Sequence, residues 1–282
     1  MPKIKSAASE TGATNLCQHD AGGRIGGRGD SLCAPREMRL RPLWFWPMTP
    51  TAIVLLPGLD GTGILFGPLL EHLPPHLRPI VVGYPGDERM DYDALLPRVL
   101  RALPTDEPFI LLGESFSGPL ALLAADSRPP GLQAIVLCAS FVRCPRRVPA
   151  CLVEHFVQPL LFRLYTRFRM TAVLMGRHSS PEVRADFADA MAAVRPEVLA
   201  HRVRQVLRVN VAAQLLRCPV PMLYLRADRD VVVPKRNAEE IRRVLPGVTV
   251  TTINAPHMLL QTQPAQAAAA IVQFVSQVAG PS

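Results

Sequence analysis

Six short runs of apolar, β-rich sequence recur along this chain, most of them separated by helix-forming sequence, and that alternation leaves few folds open. The runs are Ala52–Leu56, Pro79–Gly83, Phe109–Leu112, Ala134–Cys138, Met222–Leu225 and Val248–Ile253. Most are continuously apolar rather than alternating, as strands become when helices cover both faces of a parallel sheet. Between them Ile64–Leu73, Tyr92–Leu103, Phe116–Ala125, Lys235–Leu245 and Pro264–Val278 read as helices. Strand, helix, strand in repetition predicts an α/β fold built on a doubly wound, mostly parallel sheet.

One interval breaks the rhythm. Residues 143–214 carry no strand signal and read as an inserted helical cap, which divides the core into 48–142 and 215–282. Within it Leu152, Phe156, Leu160, Leu164 and Phe168 fall at helical spacing, which predicts one apolar face, with Arg163 and Arg167 elsewhere. Ser180 is placed to cap a following helix whose first turn holds Pro181.

Residues 1–47 have neither period. They are rich in Gly, Ser, Ala and Arg, as in Gly26-Gly27-Arg28-Gly29, and bury too little apolar surface to offset chain entropy. The expectation is a disordered, solvated extension with no nucleic-acid partner, and a translation start at Met38 or Met48. Lys3 and Lys5 precede no apolar stretch, so a secretory leader is not expected. No apolar run approaches the ~20 residues of a membrane-spanning helix, so a cytoplasmic location is expected.

The net charge of +8 is concentrated in the insertion, where residues 143–217 hold thirteen arginines against five acidic residues. The six cysteines (Cys17, Cys33, Cys138, Cys144, Cys151, Cys218) include no C-x-x-C pair and no histidine at metal-ligand spacing. They read as reduced thiols, with Cys138 a small core residue, and no metal is expected.

Chemistry enters at Gly113-Glu114-Ser115-Phe116-Ser117-Gly118, between a strand and an apolar helix. A serine on so sharp a turn is held with its hydroxyl exposed, and positions two residues either side must be small where strand and helix nearly touch. The first free N–H groups of the helix, that of Phe116 among them, point at charge developing near Ser115. An ordinary Gly/Ser turn would contain the same hexapeptide; strand before and helix after favour the catalytic reading.

The segment resembles the nucleophile elbow of the α/β-hydrolase superfamily, usually G-x-S-x-G, with Ser117 replacing the second glycine. Three further segments fit that resemblance. In Leu56-Pro57-Gly58-Leu59-Asp60-Gly61-Thr62-Gly63 it implies that the Leu59 N–H is the second oxyanion donor, beside that of Phe116. This stretch also looks like the loop of some lipid acyltransferase-type hydrolases. Its G-x-x-G-x-G order is wrong for a dinucleotide fold, and no phosphate-binding G-x-x-x-x-G-K-[ST] occurs. In Arg226-Ala227-Asp228-Arg229-Asp230-Val231-Val232-Val233-Pro234 the family's G-x-x-D-x-x-V-P register implies Asp230 as the acid that orients a histidine, with Asp228 as competitor. The family's Ser, Asp, His chain order then leaves His257 as the single candidate base, since no other histidine follows Asp230.

A serine of this kind implies acyl transfer with no cofactor, and its presence at the elbow excludes relatives that use aspartate there. The expected substrate is a carboxylic ester with a partly apolar portion. A thioesterase or acyltransferase on the same residues is the alternative, and a non-catalytic binder of small molecules is the alternative from another class. The cap arginines read either as solubilising charge or as a contact for an anionic substrate group, an acyl carrier or a membrane surface.

Overall fold

A computed structural model describes residues 50–146, 153–160, 162, 169–176 and 179–279. The extension over 1–47 lies outside the described residues, as do Leu152, Leu164 and Phe168 of the predicted apolar face. In chain order the elements are β1 (Ala52–Leu56), α1 (Gly67–Leu70), β2 (Arg78–Val81), α2 (Tyr92–Ala102), β3 (Phe109–Glu114), α3 (Gly118–Asp126) and β4 (Leu132–Cys138). Then come α4 (Arg169–Met175), α5 (Pro181–Ala192), α6 (Pro196–Arg208), α7 (Ala212–Leu216), β5 (Met222–Ala227), α8 (Arg236–Val244), β6 (Thr249–Ile253), α9 (Leu259–Thr262) and α10 (Pro264–Ala279).

The six strands form one sheet in the order β2-β1-β3-β4-β5-β6, and every neighbouring pair is parallel. The four central strands are almost wholly buried, which explains their unbroken apolar sequence, whereas β2 and β6 lie at the edges and expose much of their length. Alternate residues feed two cores. Val54, Leu56, Leu111 and Leu137 pack under α2, α3, α7 and α8 against Leu95, Leu120, Leu215 and Ile241. Ile53, Leu55, Leu112, Val136 and Cys138 pack on the opposite face against Phe66, Leu69, Ile271 and Phe274. The period of two along each strand and of 3.6 along each helix therefore meet in two layers.

From β1 the chain leaves to one side for β2, then returns to the other side for β3. Loops at the carboxyl ends of β1 and β3 thus diverge and leave a crevice, where open parallel sheets hold their ligands.

The described elements of the segment between β4 and β5 are α4 to α7 and a 3-10 turn. Ser180 Oγ accepts a hydrogen bond from Val183 N–H at 3.3 Å and Pro181 opens α5, as the sequence predicts. Met175, Phe187 and Ala190 pack on Leu65 and Met258, while Val198 and Leu199 pack on Leu59 and Met191, so these helices rest on loops at the carboxyl rim of the sheet. Of the expected apolar face only Phe156 and Leu160 are described, and they do not lie on one continuous helix. Glu154–Phe156 is one 3-10 turn, and the two residues are 74% and 59% exposed. Pro159 supplies the reason: it has no N–H to donate and biases the residue before it away from helix.

Candidate active site

The chain leaves β3 at Glu114 in extended conformation and reverses at Ser115, whose φ is +47°. A non-glycine residue in the left-handed region costs about 1–2 kcal/mol, so its surroundings must hold it there. They do so on several sides. A Cβ on Gly113 would lie 2.6 Å from the carbonyl oxygen of Ser117, and one on Gly118 would overlap the Ser140 hydroxyl. Ser140 Oγ donates to the carbonyl of Ser115 at 2.7 Å, and Tyr92 OH donates to that of Phe116 at 2.9 Å. The Phe116 ring stacks on Tyr92 at 4.8 Å between centroids. Ser117, where the resemblance leads one to expect glycine, is fully buried and uses its hydroxyl twice. It donates to the carbonyl of Pro57 and accepts from Tyr84 OH at 2.7 Å, tying the elbow to the loop after β1.

The three residues singled out from sequence converge. Ser115 Oγ lies 2.9 Å from His257 Nε2, and His257 Nδ1 lies 2.7 Å from Asp230 Oδ2. The side chains of His257 and Asp230 are 8% and 2% exposed. Asp230 follows β5, and its other oxygen, Oδ1, accepts from the N–H groups of Val232 and Val233 at 2.7 and 2.8 Å. The carboxylate is therefore anchored on one oxygen and leaves the other for the imidazole. Asp228 has a different partner: its Oδ1 accepts from Ala255 N–H at 3.0 Å and joins the loop after β5 to the loop carrying His257. Of the other described histidines, His72 contacts the carbonyl of Pro68 and His201 lies in α6. Leu59 and Phe116, the residues of the two expected oxyanion donors, both line the cavity that Ser115 and His257 share.

That cavity holds about 330 Å³. Its walls are Leu65, Phe141, Phe162, Val173, Leu174, Phe187, Met191, Val203, Val206 and Met258, drawn from both the core and the segment between β4 and β5. No lysine or arginine stands among its described lining residues. Three arginines of the segment are engaged elsewhere: Arg208 pairs with Glu154 at 2.6 Å, Arg204 donates to the carbonyl of Val157, and Arg202 turns into the protein. Among the described residues no group of His, Cys, Asp and Glu is arranged to hold a metal ion, and no helix is long and apolar enough to cross a membrane.

A family profile described as "Serine aminopeptidase, S33" matches residues 87–261. A pimeloyl-[acyl-carrier protein] methyl ester esterase of Xanthomonas oryzae pv. oryzae is 30% identical over 242 residues, covering 80% of this chain and 96% of its own. The chain belongs to the α/β-hydrolase superfamily. The fold of this hydrolase is shared with a bromoperoxidase from Bacillus anthracis, at a TM-score of 0.71 and 17% identity over 80% of this chain and 92% of that one. It is shared as well with a thermophilic esterase from Thermogutta terrifontis, at a TM-score of 0.69 and 21% identity over 82% and 91%.

Sequence reasoning did not reach several polar residues of this hydrolase that are buried beside the site. Glu114 lines the cavity next to the serine; burial pushes its carboxyl up to about 7, against the hydrogen bond it accepts from Gln261 Nε2 at 2.9 Å, and the Asp60 charge raises it further. Asp60 turns back on its own loop, accepting from Thr62 N–H at 2.8 Å and Thr62 Oγ1 at 2.6 Å. Arg202, 1% exposed, donates to the carbonyls of Leu59, Asp60 and Pro85 at 2.9, 2.6 and 2.8 Å, with Tyr84 under its guanidinium. One signal was present in the sequence: Arg202 sits four residues after Val198 and four before Val206, in line with the buried stripe of α6.

Proposed function

We propose that this hydrolase cleaves carboxylic esters through an acyl-enzyme on Ser115, beneath a lid formed by the segment 143–214. The relay from Ser115 Oγ to His257 Nε2 and from Nδ1 to Asp230 Oδ2 is the observation that carries the proposal. Ionised Asp230 can only accept, so it holds the proton of the neutral imidazole on Nδ1 and leaves Nε2 free as a base. As Ser115 Oγ attacks the ester carbonyl carbon, its proton passes to Nε2, and the carbonyl electron pair moves to oxygen. The N–H groups of Leu59 and Phe116 stabilise that oxyanion. Collapse expels the alcohol, which takes the proton from His257. A water molecule then repeats the sequence, releasing the acid and restoring Ser115.

The apolar cavity of about 330 Å³ favours an aliphatic or aromatic portion on the ester. With no described cationic side chain in its wall, it favours substrates whose buried end is uncharged. The arginine-rich surface of the lid would then meet any anionic part that stays outside. The Xanthomonas relative favours one such arrangement, a methyl ester of a chain on an acyl-carrier protein presented to Ser115. Turnover of p-nitrophenyl esters from acetyl to palmitoyl, of methyl esters on carrier-bound chains, and of acyl-CoA thioesters tests the reading, with Ser115→Ala as control. Ester turnover abolished in Ser115→Ala is the expected result. Turnover of thioesters alone would move the protein to the thioesterases. Failure of the folded protein to react with a fluorophosphonate would favour a non-catalytic binder.

A further inference from the structure

An arginine buried in a lid helix, with all its described hydrogen bonds on backbone carbonyls of the core, needs a reason. Burying a guanidinium is costly unless its donors are satisfied, and here the acceptors are Leu59, Asp60 and Pro85. Two of these carbonyls belong to the loop that presents the Leu59 N–H. The loop is shaped to admit the side chain: Gly61 has φ +71°, and a Cβ there would stand 2.5 Å from Arg202 Nη1 and 2.9 Å from the Tyr84 ring. Gly61 in turn is held from both sides, its N–H on the carbonyl of Gly58 at 3.1 Å and its carbonyl on Tyr84 N–H at 2.7 Å. The same loop carries Asp60, a buried carboxylate whose negative charge opposes an oxyanion forming nearby. Arg202 is the cation set against it.

We infer that Arg202 is the positioning residue of the oxyanion hole: its guanidinium fixes the Leu59–Asp60 peptides and offsets the Asp60 charge, so that the hole is complete only when lid helix α6 is seated on the core. The inference rests on the assignment of Ser115 and Leu59 proposed above. It concerns a residue that touches neither substrate nor reacting atoms and acts through the backbone it holds. Lysine at this position has one donor centre in place of a planar fork and cannot span three carbonyls.

Arg202→Met and Arg202→Lys, with native protein and Ser115→Ala beside them, supply the test on the full chain. Loss of a well-placed oxyanion donor lowers kcat by about 10²–10³-fold. Arg202→Met is therefore expected to lose about 10²-fold in kcat with KM changed less than about threefold, and Arg202→Lys to recover part of it. Two readouts separate positioning from mere folding. Fluorophosphonate should still label Arg202→Met to full stoichiometry, only slowly, because the serine is intact and the hole is not. A boronic acid, which mimics the tetrahedral adduct on Ser115, should lose affinity in proportion to kcat/KM. If Arg202→Met labels substoichiometrically because it folds poorly, Arg202→Lys carries the same test. The inference is overturned if the folded variants keep kcat within about threefold, or if the loss appears in KM alone. If Ser115→Ala retains full turnover, the assignment of the site fails instead, whatever Arg202 does.

Discussion

Replacing Asp230 by asparagine should disable the protein while leaving its shape unchanged, and the geometry says why. Oδ1 of Asp230 accepts from two backbone N–H groups, Val232 and Val233, so an asparagine must place its carbonyl oxygen there. Its NH₂ then faces His257 Nδ1 at the position Oδ2 now holds, 2.7 Å away. An NH₂ can only donate, so Nδ1 must become the acceptor and the imidazole proton moves to Nε2, which then donates toward Ser115 instead of accepting from it. The base is lost through the tautomer alone. Equivalent replacements in serine hydrolases cost about 10⁴-fold in kcat, so a fall of about 10³–10⁴-fold is expected, or about 4–5 kcal/mol of transition-state stabilisation. Asp228→Asn is the matched control: its partner is Ala255 N–H, which an amide oxygen accepts equally well. It should keep kcat within about threefold. Steady-state hydrolysis of a p-nitrophenyl ester, with thermal melts to verify folding, measures both. Asp230→Asn retaining more than about a tenth of native kcat, or Asp228→Asn being the more damaged of the two, would refute the reasoning.

Glu114 makes stability depend on pH. The folded protein keeps its proton up to about 7 where the unfolded chain releases it near 4.5, so the folded state binds more protons in that window and stability falls as pH rises through it. The loss is about 3 kcal/mol, readable as a falling urea midpoint, and Glu114→Gln should flatten it. Ser117→Ala should destabilise by about 1–3 kcal/mol in a urea melt, because it strands the buried Tyr84 hydroxyl and the carbonyl of Pro57 together. Met191→Trp, which fills part of the cavity wall, should shift the preferred acyl chain to shorter lengths on a p-nitrophenyl series while acetyl turnover stays near native; an unchanged chain-length profile would place the acyl group elsewhere.

The parallel sheet was legible because its central strands are buried on both faces and so leave an unbroken apolar signature, as Phe109–Leu112 and Ala134–Cys138 do. The convergence of Ser115, Asp230 and His257 was legible because each follows a strand and the resemblance to the α/β-hydrolases supplied their order. The polar residues packed around them were not. Glu114 reads as an ordinary charged residue, and only the approach of Gln261, 147 positions later, shows that it is buried. Arg202 is one arginine among the thirteen of residues 143–217, and its contacts are with carbonyls more than a hundred residues away. Local pattern records which face of an element is buried but not what it is buried against. The same limit applies at Phe156 and Leu160, where spacing suggested one continuous helix and the residues before Pro159 leave it.

The insertion between β4 and β5 also has a consequence for how the molecule is made. Ser115 leaves the ribosome 142 positions ahead of His257, its hydrogen-bond partner, with every residue of the insertion still to be synthesised in between. Until β5 arrives, β4 is an uncovered apolar edge on a half-built sheet, the kind of nascent surface that chaperones shield. The long excursion adds little to the equilibrium cost, since each doubling of a loop adds only about 0.6 kcal/mol, but it postpones β5 and β6 and with them the meeting of Ser115 and His257. A nascent chain of this design presents Ser115 from early on and lacks its hydrogen-bond partner until the loop after β6 docks.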